Sequence, residues 1–222
     1  MSESIPPHSP ELLAELEKDV GVRDGFFSSI IHEDDWSLII KLHGLVEAGL
    51  NQVLIAHFDD SRLEDIFARM PVGGRIGKLG FIRALQLLPD HNIHYIQKLS
   101  EIRNSVVHKV ANVSFSIEDH IRSLNHEQLV DLVRACADGI MAEEIDSSKP
   151  YEESQIKELF KNPRQSFWWS SVWVLGNITK SKRFQRASRQ IDEIHQEAGR
   201  LLLRKEKSGG GGKSEAGPAG EG

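Results

Sequence analysis

The stretch DDWSLIIKLHGLVEAGLNQVLIAHF, residues 34–58, places Trp36, Ile39, Ile40, Val46, Leu50, Val53, Leu54 and Phe58 at helical spacing. Asp34 and Asp35 stand where a short carboxylate side chain can cap a first turn. An apolar stripe about seven turns long predicts the core helix of a bundle, and the rest of the chain is read around it.

Upstream, Ser9-Pro10 looks like a helix start, and Leu12, Leu13, Leu16 and Val20 follow at helical spacing in an acidic, peripheral helix. Gly21 to Gly25 breaks the pattern. Downstream, Ser61 with Glu64 reads as a capping box that opens a short helix through Ile66 and Phe67, and Pro71 ends it. Lys78 lies in a glycine-rich stretch from Pro71 to Gly80, which invites a phosphate-loop reading. No strand precedes it and the spacing is not Gly-x4-Gly-Lys-Ser/Thr, so that reading is rejected. Phe81, Ile82, Leu85 and Leu88 then resume a helix.

After Pro89, Asp90 or Asn92 starts a helix with Ile93, Ile96, Leu99, Ile102 and Val106 inward. From Val110 to Ile117 the helical period is lost, and alternation of Val113, Phe115 and Ile117 suggests an extended segment or short strand. Asn125 with Gln128 opens a helix whose inward face carries Leu129, Leu132, Val133, Cys136, Ile140 and Met141; Cys136 is thereby expected to be a buried apolar group, not a nucleophile. Asn162-Pro163 with Gln165 leads into Phe167, Trp168, Trp169 and Trp173, aromatics expected in a core or dimer interface. A last amphipathic helix is predicted from about Ser181 to Lys207, and the tail from Ser208 has no apolar content worth burying, so disorder is expected there. The organisation expected is all-α: an acidic helical segment over 1–33, a bundle over 34–148, Trp-rich and basic helices over 149–207, and a tail over 208–222.

Composition narrows the function classes. The 222 residues carry 27 basic and 33 acidic side chains, and 39% are hydrophobic, which is the composition of a globular protein with a real core. The single cysteine excludes a disulfide scaffold and a thiolate zinc site. The opening Met1-Ser2-Glu3-Ser4 lacks a basic-then-apolar signal, and Phe167 to Ile178, taken as the most apolar stretch, is too short and too polar to span a membrane, so a cytoplasmic protein without membrane contact is expected. Charge is uneven: residues 1–35 hold nine acids and two bases, while residues 180–207 hold nine bases and four acids, a solvated helix face or a phosphate-meeting arm. A net charge of −6 and no recognition-helix motif argue against specific DNA binding.

The candidate chemistry lies in Ile102-Arg103-Asn104-Ser105-Val106-Val107-His108. A guanidinium can hold a phosphate oxygen in a fork, an imidazole can take or give a proton near neutral pH, and an amide can orient either. Spacing alone is weak, because about two such Arg-His pairs are expected by chance, and Arg189 with His195 is another. On a regular helix, positions five apart lie about 140° apart, so Arg103 and His108 cannot share a face, whereas Asn104 and His108 can. Either the helix ends near Val107, or the site is composed across a symmetric dimer. His43 and Glu47, four apart, could make a metal pair or support the cleft, but a satisfied buried histidine explains them better and no further ligand stands out.

The run Glu101 to His108 at the end of a bundle helix resembles the Arg-polar-x3-His signature of the HEPN superfamily of helical nucleotide- and RNA-directed proteins. Leu45 to Leu54, followed by Gly77 to Leu85, resembles the mannitol-repressor (MltR-like) branch of that fold, and the likeness covers about Asp34 to Val133. The resemblance implies an all-α, usually dimeric bundle and, in active members, a metal-independent endoribonuclease whose Arg and His act at the dimer cleft. Arg103, Asn104 and His108 match the signature. It further implies RNA as partner, a homodimer, a cognate inhibitor or regulatory protein, and no cofactor or metal. The MltR-like branch implies a non-catalytic regulator or interaction module instead.

Overall fold

A computed structural model describes residues 10–107, 114–140 and 160–209. Among them every regular element is helical: α1 Pro10–Val20, α2 Phe26–Ile30, α3 Asp35–Phe58, a 3-10 turn Ser61–Leu63, α4 Glu64–Arg69, α5 Lys78–Ala84, α6 Asp90–Val107, α7 Ile117–Ser123, α8 His126–Ile140 and α9 Pro163–Gly209. The described residues fall into two compact units, one reaching to Arg183 and one beginning at Phe184. The fold is all-α.

In the first unit α3 is the central element, packing on α4, α5 and α6, while α6 also packs on α8. Leu38, Ile39, Leu42, Leu50, Val53 and Leu54 of α3 are fully buried, joined by Val46, so burial exceeds the narrow stripe expected; Phe58 at the helix end is exposed. Among the described residues the long helix apolar enough to span a membrane is α3, and not the helix that holds residues 167–178. By length and composition it could cross a membrane, yet half of its most apolar window is buried inside the fold, as in a core helix. On α6 the five expected residues, Ile93, Ile96, Leu99, Ile102 and Val106, are all buried, as are Phe167 and Trp168 of α9. Tyr95 was not anticipated in the core; its hydroxyl donates to the Phe167 carbonyl at 2.8 Å and pairs with Ser171 Oγ at 2.6 Å.

The ends of the helices show why the elements stop and start. Asp34 accepts from the Ser37 amide at 2.9 Å and caps α3. Asn125 and Gln128 exchange the expected capping-box bonds at 2.9 and 3.0 Å. Ser61 does not act as the cap expected of it: Asp60 caps the 3-10 turn through the Arg62 amide, and α4 follows. Nor does Ser181 start a new helix. Its hydroxyl donates to the Leu87 carbonyl at 2.7 Å, no proline interrupts the backbone, and α9 runs through without a break. Ile117 is the buried first residue of α7, not a strand residue, because Ser116 caps that helix by accepting from the Asp119 amide. Val110, Val113 and the tail from 210 lie outside the described residues.

The acidic α1 is more embedded than its composition suggested. Glu17 is buried, and its carboxylate accepts from the Gly25 and Phe27 amides at 2.8 and 2.9 Å, so it caps α2 from a distance. A second node joins three helix starts. Asp35 accepts from the Ile117 amide at 2.8 Å and pairs with Arg164 Nη2 at 2.5 Å, and the same guanidinium donates to the Ile31 carbonyl at 3.1 Å and to the Glu33 carbonyl.

Removing that node leaves the Asp35 carboxylate and two carbonyls without their cation. Arg164→Met is expected to cost about 2–3 kcal/mol in a urea titration, with Arg164→Lys recovering only part, because an ammonium cannot fork across the same acceptors.

Candidate functional site

Arg103 and Asn104 occupy the last described turn of α6. Arg103 lies three residues after Ser100 and four after Leu99, so it shares their face of the helix, turned toward α3, and is half-buried. Asn104 is exposed, and its Oδ1 accepts from Arg103 Nη1 at 3.1 Å. Among the described residues no carboxylate pairs with Arg103. The structure thus joins two of the three expected site residues; His108 lies outside the described residues.

Behind Arg103 stands a buried polar cluster built from α3, α5 and α6. His43 is buried, with Nε2 3.2 Å from Ser100 Oγ, while the Ser100 hydroxyl donates to the Ile96 carbonyl at 2.8 Å. With its proton committed to Ile96, Ser100 offers lone pairs, which selects the tautomer of His43 that carries hydrogen on Nε2. Glu47, one turn along α3, approaches His43 Nδ1 at 3.9 Å and accepts from Lys78 Nζ at 2.5 Å. Lys78 is completely buried, whereas the Glu47 side chain is about a third exposed.

Burial pushes the His43 imidazole below its ordinary value; Glu47 opposes this, and the positive charges of Arg103 and Lys78 add to it. Neutral His43, cationic Lys78 and Arg103, and anionic Glu47 leave this corner one positive charge in excess. Such a corner can hold an anion at Arg103. No group of three or more His, Cys, Asp or Glu among the described residues could hold a metal ion, so His43 and Glu47 do not extend into a metal site there.

The glycine-rich stretch explains how a lysine reaches the interior. The Lys78 and Leu79 amides donate to the Pro71 and Val72 carbonyls at 2.9 and 3.0 Å, which occupies the first amides of α5 and leaves no phosphate cradle. A Cβ on Gly77 would stand 2.1 Å from the Gly73 carbonyl oxygen, so the loop closes this tightly only with glycine. The sequence signal for Lys78 was its phase: it precedes buried Ile82 by four residues and so shares the inward face of α5.

Cys136, fully buried, has its thiol pushed up to about 12 by burial, in keeping with an inert core role.

The unequal exposure of the ion pair gives an asymmetric expectation. Glu47→Ala strands a fully buried ammonium and should cost about 3–5 kcal/mol, whereas Lys78→Met leaves a carboxylate that water can reach and should cost about 1–2 kcal/mol, both read from denaturant unfolding. For His43 the sign follows from its lowered value: the fold favours the neutral ring, so its contribution is full above the ordinary 6.5 and is lost as pH falls below it. Wild type should therefore lose more stability between pH 8 and pH 5 than His43→Gln, as compared by urea midpoints.

Comparison with protein-family models, with curated proteins and with solved structures finds no match to this chain.

Proposed function

We propose that the chain is a metal-independent, HEPN-like endoribonuclease acting as a homodimer. The observation that supports this reading is the Arg103–Asn104 pair: a guanidinium without a carboxylate partner among the described residues, oriented by the neighbouring amide and backed by a corner of net positive charge. In this mechanism Arg103 binds the scissile phosphate and stabilises the charge that builds on its oxygens. The RNA's own 2′-hydroxyl is the nucleophile. His108 takes its proton or protonates the departing 5′-oxygen, and Asn104 orients the groups. The phosphorus gains one P–O bond and loses another, leaving a 2′,3′-cyclic phosphate and a 5′-hydroxyl. On a regular helix Arg103 and His108 would lie about 140° apart, a separation that a site composed across two copies would accommodate.

A regulatory, MltR-like module is the second reading, favoured by the proximity of Arg103 to buried His43, which gives the guanidinium a structural task. The two separate in one experiment. Purified protein is incubated with mixed cellular RNA and chelator, and fragment ends are analysed. The nuclease reading expects cyclic phosphate ends from wild type and losses of about 10²–10⁴-fold in Arg103→Ala and His108→Ala with unchanged melting. Absence of cleavage at concentrations that sustain a dimer, with destabilisation by Arg103→Ala, would replace it by the regulatory reading.

A further inference from the structure

Beyond Arg183, α9 carries a second feature that the proposed chemistry does not use. Phe184, Ala187, Ile191, Ile194, Ala198 and Leu201 recur at alternating spacings of three and four, the a and d positions of a heptad, and all six are exposed. Phe184, Ile191, Ile194 and Leu201 are 67%, 53%, 64% and 53% exposed, so the stripe lies open along its length. Its width matters. Arg186, Arg189, Asp192, Glu193 and Arg200 all fall at the outer b, c and f positions, which leaves a seam two positions wide. A seam that narrow fits one facing helix, not the wider face that docks on a globular core.

The order of sizes along the seam identifies that helix. Large, small, large, large, small, large reads the same in both directions, so a reversed copy sets Phe184 opposite Leu201, Ala187 opposite Ala198, and Ile191 opposite Ile194, each pair occurring twice about a two-fold axis. The helix macrodipoles favour the reversed orientation, since they compensate in an antiparallel pair and add in a parallel one, and reversal sets Glu197, at a flanking g position, opposite Ser188 of the second copy with every arginine of the stretch on the outer face. The six side chains offer roughly 500–600 Å² per copy, so pairing covers on the order of 1,000–1,200 Å², the lower bound of a specific interface.

We infer that residues 184–201 of α9 are a self-association surface whose partner is a second copy of the same helix in an antiparallel coiled coil. This inference does not rest on the nuclease reading.

The test uses the full chain. Sedimentation equilibrium should give about twice the 25.0 kDa chain mass, and the double variant Ile191→Asp, Ile194→Asp should return to the chain mass with the thermal unfolding of the bundle unchanged. Orientation is read by cysteines. Equimolar Ala187→Cys and Ala198→Cys proteins, mixed and oxidised, should cross-link to each other, while neither cross-links alone, since like positions stand about 16 Å apart in the reversed pair. A monomeric wild type, a dimer that survives the double variant, or cross-linking of either cysteine variant alone would each overturn the assignment. So would a monomer whose stripe variants lose binding to anionic vesicles, which would give the seam to lipid.

Discussion

The fold depends on a core helix that is not purely apolar. Burying α3 on several sides removes Leu38, Ile39, Leu42, Leu50 and Val53 from water, which drives the packing, but the same turns also take His43 inside and bring Glu47 and Asp35 to its edge. Each polar group then requires a partner from another element. Ser100 of α6 meets His43, Lys78 of α5 meets Glu47, and the Ile117 amide of α7 and Arg164 of α9 meet Asp35. Satisfying α3 therefore fixes where four other helices lie, and it does so with groups whose geometry is more restrictive than apolar contact.

This requirement also shapes the candidate site. Arg103 follows Ser100 on the same face of α6, so the register that serves His43 carries the guanidinium to the edge of the same cluster. Lys78 neutralises Glu47, and what remains uncompensated is the charge of Arg103, held beside Asn104 at the surface end. A site of this kind gets its positive potential from Arg103 itself, because the buried Lys78–Glu47 pair contributes no net charge.

Much of the architecture was legible because apolar periodicity and capping residues act locally. The inward face of α6, the capping box at Asn125, the Asn162 cap of α9 and the interior Trp168 follow from residues a few positions apart. What escaped the reading involves polar groups paired across large separations. Lys78 and Glu47 are 31 residues apart, His43 and Ser100 are 57 apart, and Arg164 reaches Glu33 across 131. Spacing rules do not span such distances. The separate helix expected from about Ser181 is absent for a related reason: the Ser181 hydroxyl bonds to the Leu87 carbonyl of another segment, and α9 continues through it. Arg103 and Asn104 were found as a motif, but the partner that gives Arg103 its electrostatic meaning, His43, becomes visible only once α3 and α6 are packed together.

Arg103 acts on the buried His43 through its charge, from the edge of the cluster. The most direct measurement is titration of the His43 ring by NMR in wild type and in Arg103→Gln. Removing a positive charge that disfavours the imidazolium should raise the His43 pKa toward its ordinary value. An unchanged His43 titration in a folded Arg103→Gln protein would contradict the account.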